Sequence, residues 1–233
     1  MMAFFWGEHR IDYHLERASR KTLAITVKPD ASVIVRAPEN ADAEAIGRVL
    51  RKRASWILRQ QRYFDQFTPR TTPREYIGGE THLYLGRRYR LRLRTCDTPS
   101  VGFVGGYLCV HTPDPADAGQ VKATLDAWYA QRATEVFAER LTYCRRIAAF
   151  RDLPAAETSI RFMSKRWGSC SSAKLLTINT DLVRAPRLCI DYVLVHELCH
   201  LIHQNHSQEF YQLLSVVMPD WEARKLRLER LLS

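Results

Sequence analysis

Three residues of one pentapeptide could do chemistry together: His196, Glu197 and His200, in the run His196-Glu197-Leu198-Cys199-His200. Residues four apart share one face of a helix, so both imidazoles can reach one metal ion, and the pattern is that of zinc-binding helices. Glu197 sits one position from the first imidazole. That sets its carboxylate beside an open metal position, where it can take a proton from water. The preceding run, Ile190-Asp191-Tyr192-Val193-Leu194-Val195, is apolar enough for a buried helix. A site of this kind needs such a dry wall behind the metal.

A catalytic zinc normally has three protein ligands plus water. His206 is the first candidate for the third, if Asn205 takes a left-handed conformation and swings the chain back toward the metal. His203 lies on nearly the same helical face, but one straight helix does not wrap three ligands around one ion. Asp220 and Glu222, on the following helix, are the acidic alternatives.

Upstream lies Lys165-Arg166-Trp167-Gly168-Ser169-Cys170, and then the short run Lys174 to Asn179. A Gly-Ser turn followed by a strand could form an edge that binds an extended peptide by strand addition. Leu176, Ile178 and Asn179 are the residues expected to line that edge. Trp167 alone reads as a core anchor. Cys170 and Cys199 read as small buried thiols rather than as a nucleophile or ligands. A donor for the tetrahedral oxyanion is also needed, and Tyr211, Arg166 and Tyr192 all stand open for that role.

These residues need a frame. The chain has 233 residues, enough for a sizeable core in one large or two small domains. No apolar run approaches the ~18 residues of a membrane span. The start, Met1 to His9, lacks the basic region and long apolar core of a secretory signal. The six cysteines are scattered, without a CxxC pair, so reduced thiols and a cytoplasmic location are expected.

Short β-prone runs cover Arg10 to Arg17, Thr22 to Lys28 and Ser32 to Arg36. From Asp42 to about Phe67, the residues Ile46, Val49, Leu50, Ile57 and Leu58 recur at helical spacing, and Thr68 to Pro73 reads as a link. His82 to Leu85 and Arg88 to Arg94 form a probable hairpin at Gly86-Arg87; Val101 to Val104 and Tyr107 to His111 form another around Gly105-Gly106. Thr112 to Pro115 is the expected lobe boundary, giving lobes 1–113 and 114–233. A long helix follows, from Asp117 to about Phe150. Short strands are expected at Ser159 to Met163 and Leu175 to Asn179, and helices at Leu188 to His203, Ser207 to Val217 and Asp220 to Leu232. No internal repeat is visible.

The net charge of +10 resides largely in arginine. Arg48, Arg51, Lys52, Arg53, Arg59 and Arg62 share the first helix, and Arg88, Arg90, Arg92 and Arg94 alternate with Tyr89, Leu91 and Leu93. Two solvated faces account for this pattern, and so does an electrostatic footprint for weak nucleic-acid binding.

Taken together, Trp167 to Cys170, Ile178-Asn179, Ile190 to Val193, His196 to His200, Asn205 to Ser207, Phe210-Tyr211 and Pro219-Asp220 resemble the YgjP-like metallopeptidase family. Ser19 to Lys21, Val33 to Pro38 and Trp56-Ile57 extend the likeness over most of the chain. Thr180 departs from it, standing where the family often has Trp. The resemblance implies a cytoplasmic zincin with His196, His200 and His206 as ligands. Related peptidases tied to DNA–protein crosslink repair add interest to the basic charge, by analogy only. The fold expected is α+β: an N-terminal antiparallel β-rich lobe with a long helix, then a zincin-like helical lobe with a small sheet. The function expected is zinc-dependent hydrolysis of peptide bonds with Glu197 as general base. The rivals are a nucleic-acid-associated protein whose zinc is structural, closed by four ligands, and a peptidase recruited to DNA.

Overall fold

A computed structural model describes residues 2–28, 30–65, 74–154, 156–164 and 166–232. The expected link over 68–73, the end of the first predicted helix at Phe67, and Lys165 lie outside the described residues. The chain divides into two compact units, residues 1–71 and 72–232.

The first unit holds strands β1 (Met2–Trp6), β2 (His9–Ala18), β3 (Ala24–Val27) and β4 (Val33–Pro38), then helix α1 (Ala43–Asp65). The sheet order is β1-β2-β4-β3, with β2 and β4 parallel. Alternation sends Ile11 and Tyr13, and Val33, Val35 and Ala37, to one face. There they meet Ile46, Leu50, Ala54 and Ile57, a stripe with helical spacing along α1. Val49, expected in that stripe, is instead exposed.

The second unit opens with β5 (Thr81–Tyr84), β6 (Arg87–Thr95), β7 (Ser100–Val104) and β8 (Tyr107–Thr112), followed by α2 (Ala118–Cys144). Two turns fix the hairpins. Leu85 and Gly86 have φ of 48° and 78°, and Gly105 and Gly106 have 56° and 82°. Two successive positive φ angles are the mark of the type I′ turn that matches strand twist. The order is β5-β6-β8-β7, with β6 and β8 parallel. Each pairing repeats that of the first unit, and each sheet is followed by one long helix. The chain therefore contains an internal structural repeat that its sequence does not display.

Both sheets are mixed, not wholly antiparallel as expected, because a parallel pair sits at the centre of each. The lobe boundary also moves, from Pro113 to the break between residues 71 and 72. Leu91, Leu108 and Val110 of the sheet share one core with Val121, Leu125 and Tyr129 of α2. A cut at Pro113 would strip that sheet of the helix that covers it. Asp117 caps α2, accepting from the N–H groups of Gly119 and Gln120 at 2.8 and 3.2 Å.

The rest of this unit carries β9 (Thr158–Arg161), β10 (Gly168–Cys170), β11 (Leu176–Asn179), α3 (Arg187–His200), α4 (Gln208–Val217) and α5 (Trp221–Leu232). The small sheet has the order β10-β11-β9. Helix α3 is buried on nearly all sides from Cys189 to Cys199, which makes it the core helix of the unit.

Candidate metal centre

Helix α3 sets His196 and His200 on one face, with ring centroids 5.0 Å apart. Backbone bonds then tighten its end: Leu201 N–H donates to the Leu198 carbonyl and His203 N–H to that of Cys199, at 3.1 and 2.9 Å. Asn205 does not take the left-handed conformation expected of it: Ala31, Tyr76, Leu85 and Lys174 are the non-glycine residues with positive φ among those described. A tight turn, in which Ser207 N–H donates to the Asn205 carbonyl at 2.8 Å, carries the chain back instead.

That turn delivers His206. Its Nε2 lies 2.9 Å from Nε2 of His196, and its ring centroid is 4.6 Å from that of His200. One ligand atom from each of His196, His200 and His206 can be chosen so that all lie within 4.8 Å of one another. Nδ1 of His200 is 3.1 Å from the His203 carbonyl oxygen. A carbonyl only accepts, so Nδ1 carries a proton and Nε2 is the atom left to ligate. Phe210 of α4 backs the group, with ring centroids 5.0, 4.6 and 4.8 Å from those of His196, His200 and His206.

The electrostatics favour lone pairs. Burial, with the neighbouring His200 and His206, pulls His196 down to about 3, so its imidazole is neutral. His206 is lowered by the same two kinds of cause, burial first. Three imidazoles suit a divalent metal ion and leave room for one further ligand. Ligands about 2.1 Å from a tetrahedral ion stand about 3.4 Å from each other, and the His196–His206 pair, at 2.9 Å, is somewhat closer.

Glu197 is 4 % exposed, and its Oε2 has no hydrogen-bond partner among the described residues. Burial lifts its carboxyl to about 7, against the opposing pull of Arg166. Carboxylate and His196 face a cavity of about 240 Å³ walled by Trp167, Gly168, Tyr192, Val193, Lys225, Leu228 and other side chains.

The YgjP-like metallopeptidase domain matches this chain over residues 21–231. The chain belongs to the YgjP-like metallopeptidase family. Among solved structures, the chain is similar to the metallopeptidase zymogen abylysin of Pyrococcus abyssi, with a TM-score of 0.34 and 20 % identity over 39 % of this chain and 87 % of that one. It is also similar to the zymogen jannalysin of Methanocaldococcus jannaschii, with a TM-score of 0.33 and 21 % identity over 42 % and 85 %. No protein of curated function matches it.

In this YgjP-like chain the other proposed ligands stand apart from the three imidazoles. His203 contributes only its carbonyl, and Asp220 accepts from Arg224 at 2.9 Å. Glu222 lies exposed on α5. The expected substrate edge also moves. Strand β11 is the central strand of its sheet, paired with β10 on one side and β9 on the other. Its Leu176, Ile178 and Asn179 are buried, so they cannot line a peptide-binding edge. Asn179 organises the approach to the site instead: its Nδ2 donates to the carbonyls of Met163 and Arg166 at 2.7 and 3.0 Å. The sheet edge near Glu197 is β10, three residues that read as a turn in the sequence. The Cys170 thiol on β10 is raised by burial first, then by Glu197. Burial pushes Cys199 up to about 12. Neither is poised as a nucleophile. Of the candidate oxyanion donors, Tyr192 and Arg166 line the cavity, while the Tyr211 ring lies tilted beside His206 with centroids 6.0 Å apart.

Proposed function

We propose that this metallopeptidase is zinc-dependent and hydrolyses peptide bonds in peptide or protein substrates, with Glu197 as general base. One observation carries the reading: three imidazoles converge within 4.8 Å, and beside them a buried carboxylate keeps one oxygen without a partner. His196, His200 and His206 would hold the ion. Zinc bound there supplies a Lewis acid that polarises the scissile carbonyl and acidifies the attacking water.

The chain's own residues do the rest. Glu197, lifted to about 7 by burial, accepts a proton at Oε2 and returns it to the leaving amine. Trp167, Tyr192, Val193 and Leu228 give the cavity an apolar part, against which Glu197 is desolvated. The edge of β10 offers backbone groups to an extended substrate, the role first expected of β11. Six free thiols support a reducing compartment such as the cytoplasm. No helix among the described residues is long and apolar enough to cross a membrane. A structural zinc would be closed by four ligands, whereas the group found among the described residues has three.

The test is Glu197→Gln. The amide keeps the shape but cannot take the proton. It should retain zinc and lose about 10²- to 10⁴-fold in cleavage of an unfolded protein such as casein. Wild-type cleavage by this variant would remove Glu197 from the mechanism.

A further inference from the structure

Beside the general base lies a residue with no side chain. A Cβ built on Gly168 would fall 2.6 Å from Oε1 of Glu197, 2.8 Å from its Cγ and 2.9 Å from its Cδ. Real Cβ atoms do not approach this closely, so something would have to move. Neither side can move cheaply. Glu197 is 4 % exposed on a helix buried nearly all round. Gly168 is registered against Ile178 in the β10-β11 pair, and the Asn179 N–H donates to the adjoining Trp167 carbonyl at 2.9 Å.

Backbone conformation does not explain the glycine. Gly168 is absent from the positive-φ residues, unlike Gly86, whose φ of 78° calls for glycine. The demand at Gly168 is for space, and the space is filled by one carboxylate.

We propose that Gly168 is a positioning residue: the vacancy at its Cα is the seat that fixes the Glu197 carboxylate against β10 and leaves Oε2 turned to the reacting water. This rests on the peptidase reading for its consequence in catalysis, though not for the seat itself. Pushing the carboxylate aside by about 1 Å is enough to cost on the order of 10²-fold in rate.

The experiment is a mutant cycle on the full, zinc-loaded chain: Gly168→Ala, Glu197→Ala and the pair. Gly102→Ala serves as control, because that strand glycine has nothing within 4 Å of its would-be Cβ and an ordinary φ. Gly168→Ala should keep one zinc per chain, lose about 10²-fold in kcat on casein and change KM little. It should lower Tm in the wild-type background and much less in the Glu197→Ala background, where the clashing atoms are gone. Gly102→Ala should do neither.

A wild-type kcat, or a rise in KM alone, would overturn the proposal. So would an equal Tm loss in both backgrounds, or failure to fold in both, since the strand itself would then require glycine. Folding only when Glu197 is truncated would support it. If the wild type cleaves nothing, the peptidase reading falls, while the Tm cycle still decides the seat without a substrate.

Discussion

Arg140 of α2 grips Asp191 of α3 through two parallel hydrogen bonds, each 2.7 Å long. Both side chains are largely withdrawn from water, at 14 % and 9 % exposure. Asp191 lies little more than one helical turn before His196, so this fork clamps the helix that carries His196 and His200 to α2.

Removing one partner strands the other charge in a poor solvent. Asp191→Ala should destabilise the second unit by about 3 kcal/mol, read as a lower midpoint in urea unfolding. Arg140→Met combined with Asp191→Leu should cost less than either single change. If the pair costs as much as the two singles summed, the clamp is no coupled ion pair.

The third ligand is expected to be His206. Zinc analysis after dialysis should find His206→Ala largely stripped, with secondary structure by circular dichroism intact, because His206 lies in an exposed turn. Full occupancy there, with loss in Asp220→Ala or Glu222→Ala, would move the site to an acidic ligand.

Acid should weaken the second unit through His82, away from the metal. Its side chain is fully buried, with Nε2 3.3 Å from Glu80 Oε2 and Nδ1 unpartnered among the described residues. Burial first, and then Arg74, push it down to about 4. The folded value lies below the unfolded one near 6.5, so the fold prefers the neutral ring. The stability is complete above pH 6.5 and is lost as pH falls toward 4, by up to about 3 kcal/mol. Urea unfolding of metal-free protein from pH 7 to 4, compared with His82→Gln, should show a shallower slope for the variant. Parallel slopes would remove His82 as the cause.

Weak, sequence-independent binding to DNA is expected from the arginine face of β6, where Arg88, Arg90 and Arg94 stand exposed. Arg92 is partly occupied, lying 4.0 Å over the Tyr107 ring. A three-arginine face should lose about 40-fold in affinity from about 50 to about 200 mM salt. Fluorescence anisotropy with a labelled duplex would measure this. No binding at low salt, or no change on replacing the three arginines by Glu, would leave the face an ordinary solvated surface.

The pairing of His196 with His200 was legible because helical spacing is local: the two declare their shared face in five residues. The Gly105-Gly106 turn was legible for the same reason, whereas the other turn falls at Leu85-Gly86, one residue before the expected Gly86-Arg87. Sheet order is not local. Leu176 to Asn179 announces a strand, yet nothing in those residues says that β9 returns in parallel on its far side. Nor does Gly168 announce its neighbour, because Glu197 meets it only after the chain has folded. The start, Met2 to Trp6, is a strand paired with β2. The doubled sheet-and-helix module escaped notice because its two copies share strand pairing, not residues.

Helix α5 brings Lys225 and Leu228 to the cavity beside Glu197. In the order of translation it follows β10, α3 and α4, so this wall of the cavity is synthesised after the others. A chain cut short before Trp221 would lack that wall, and Glu197 would stand more open to water.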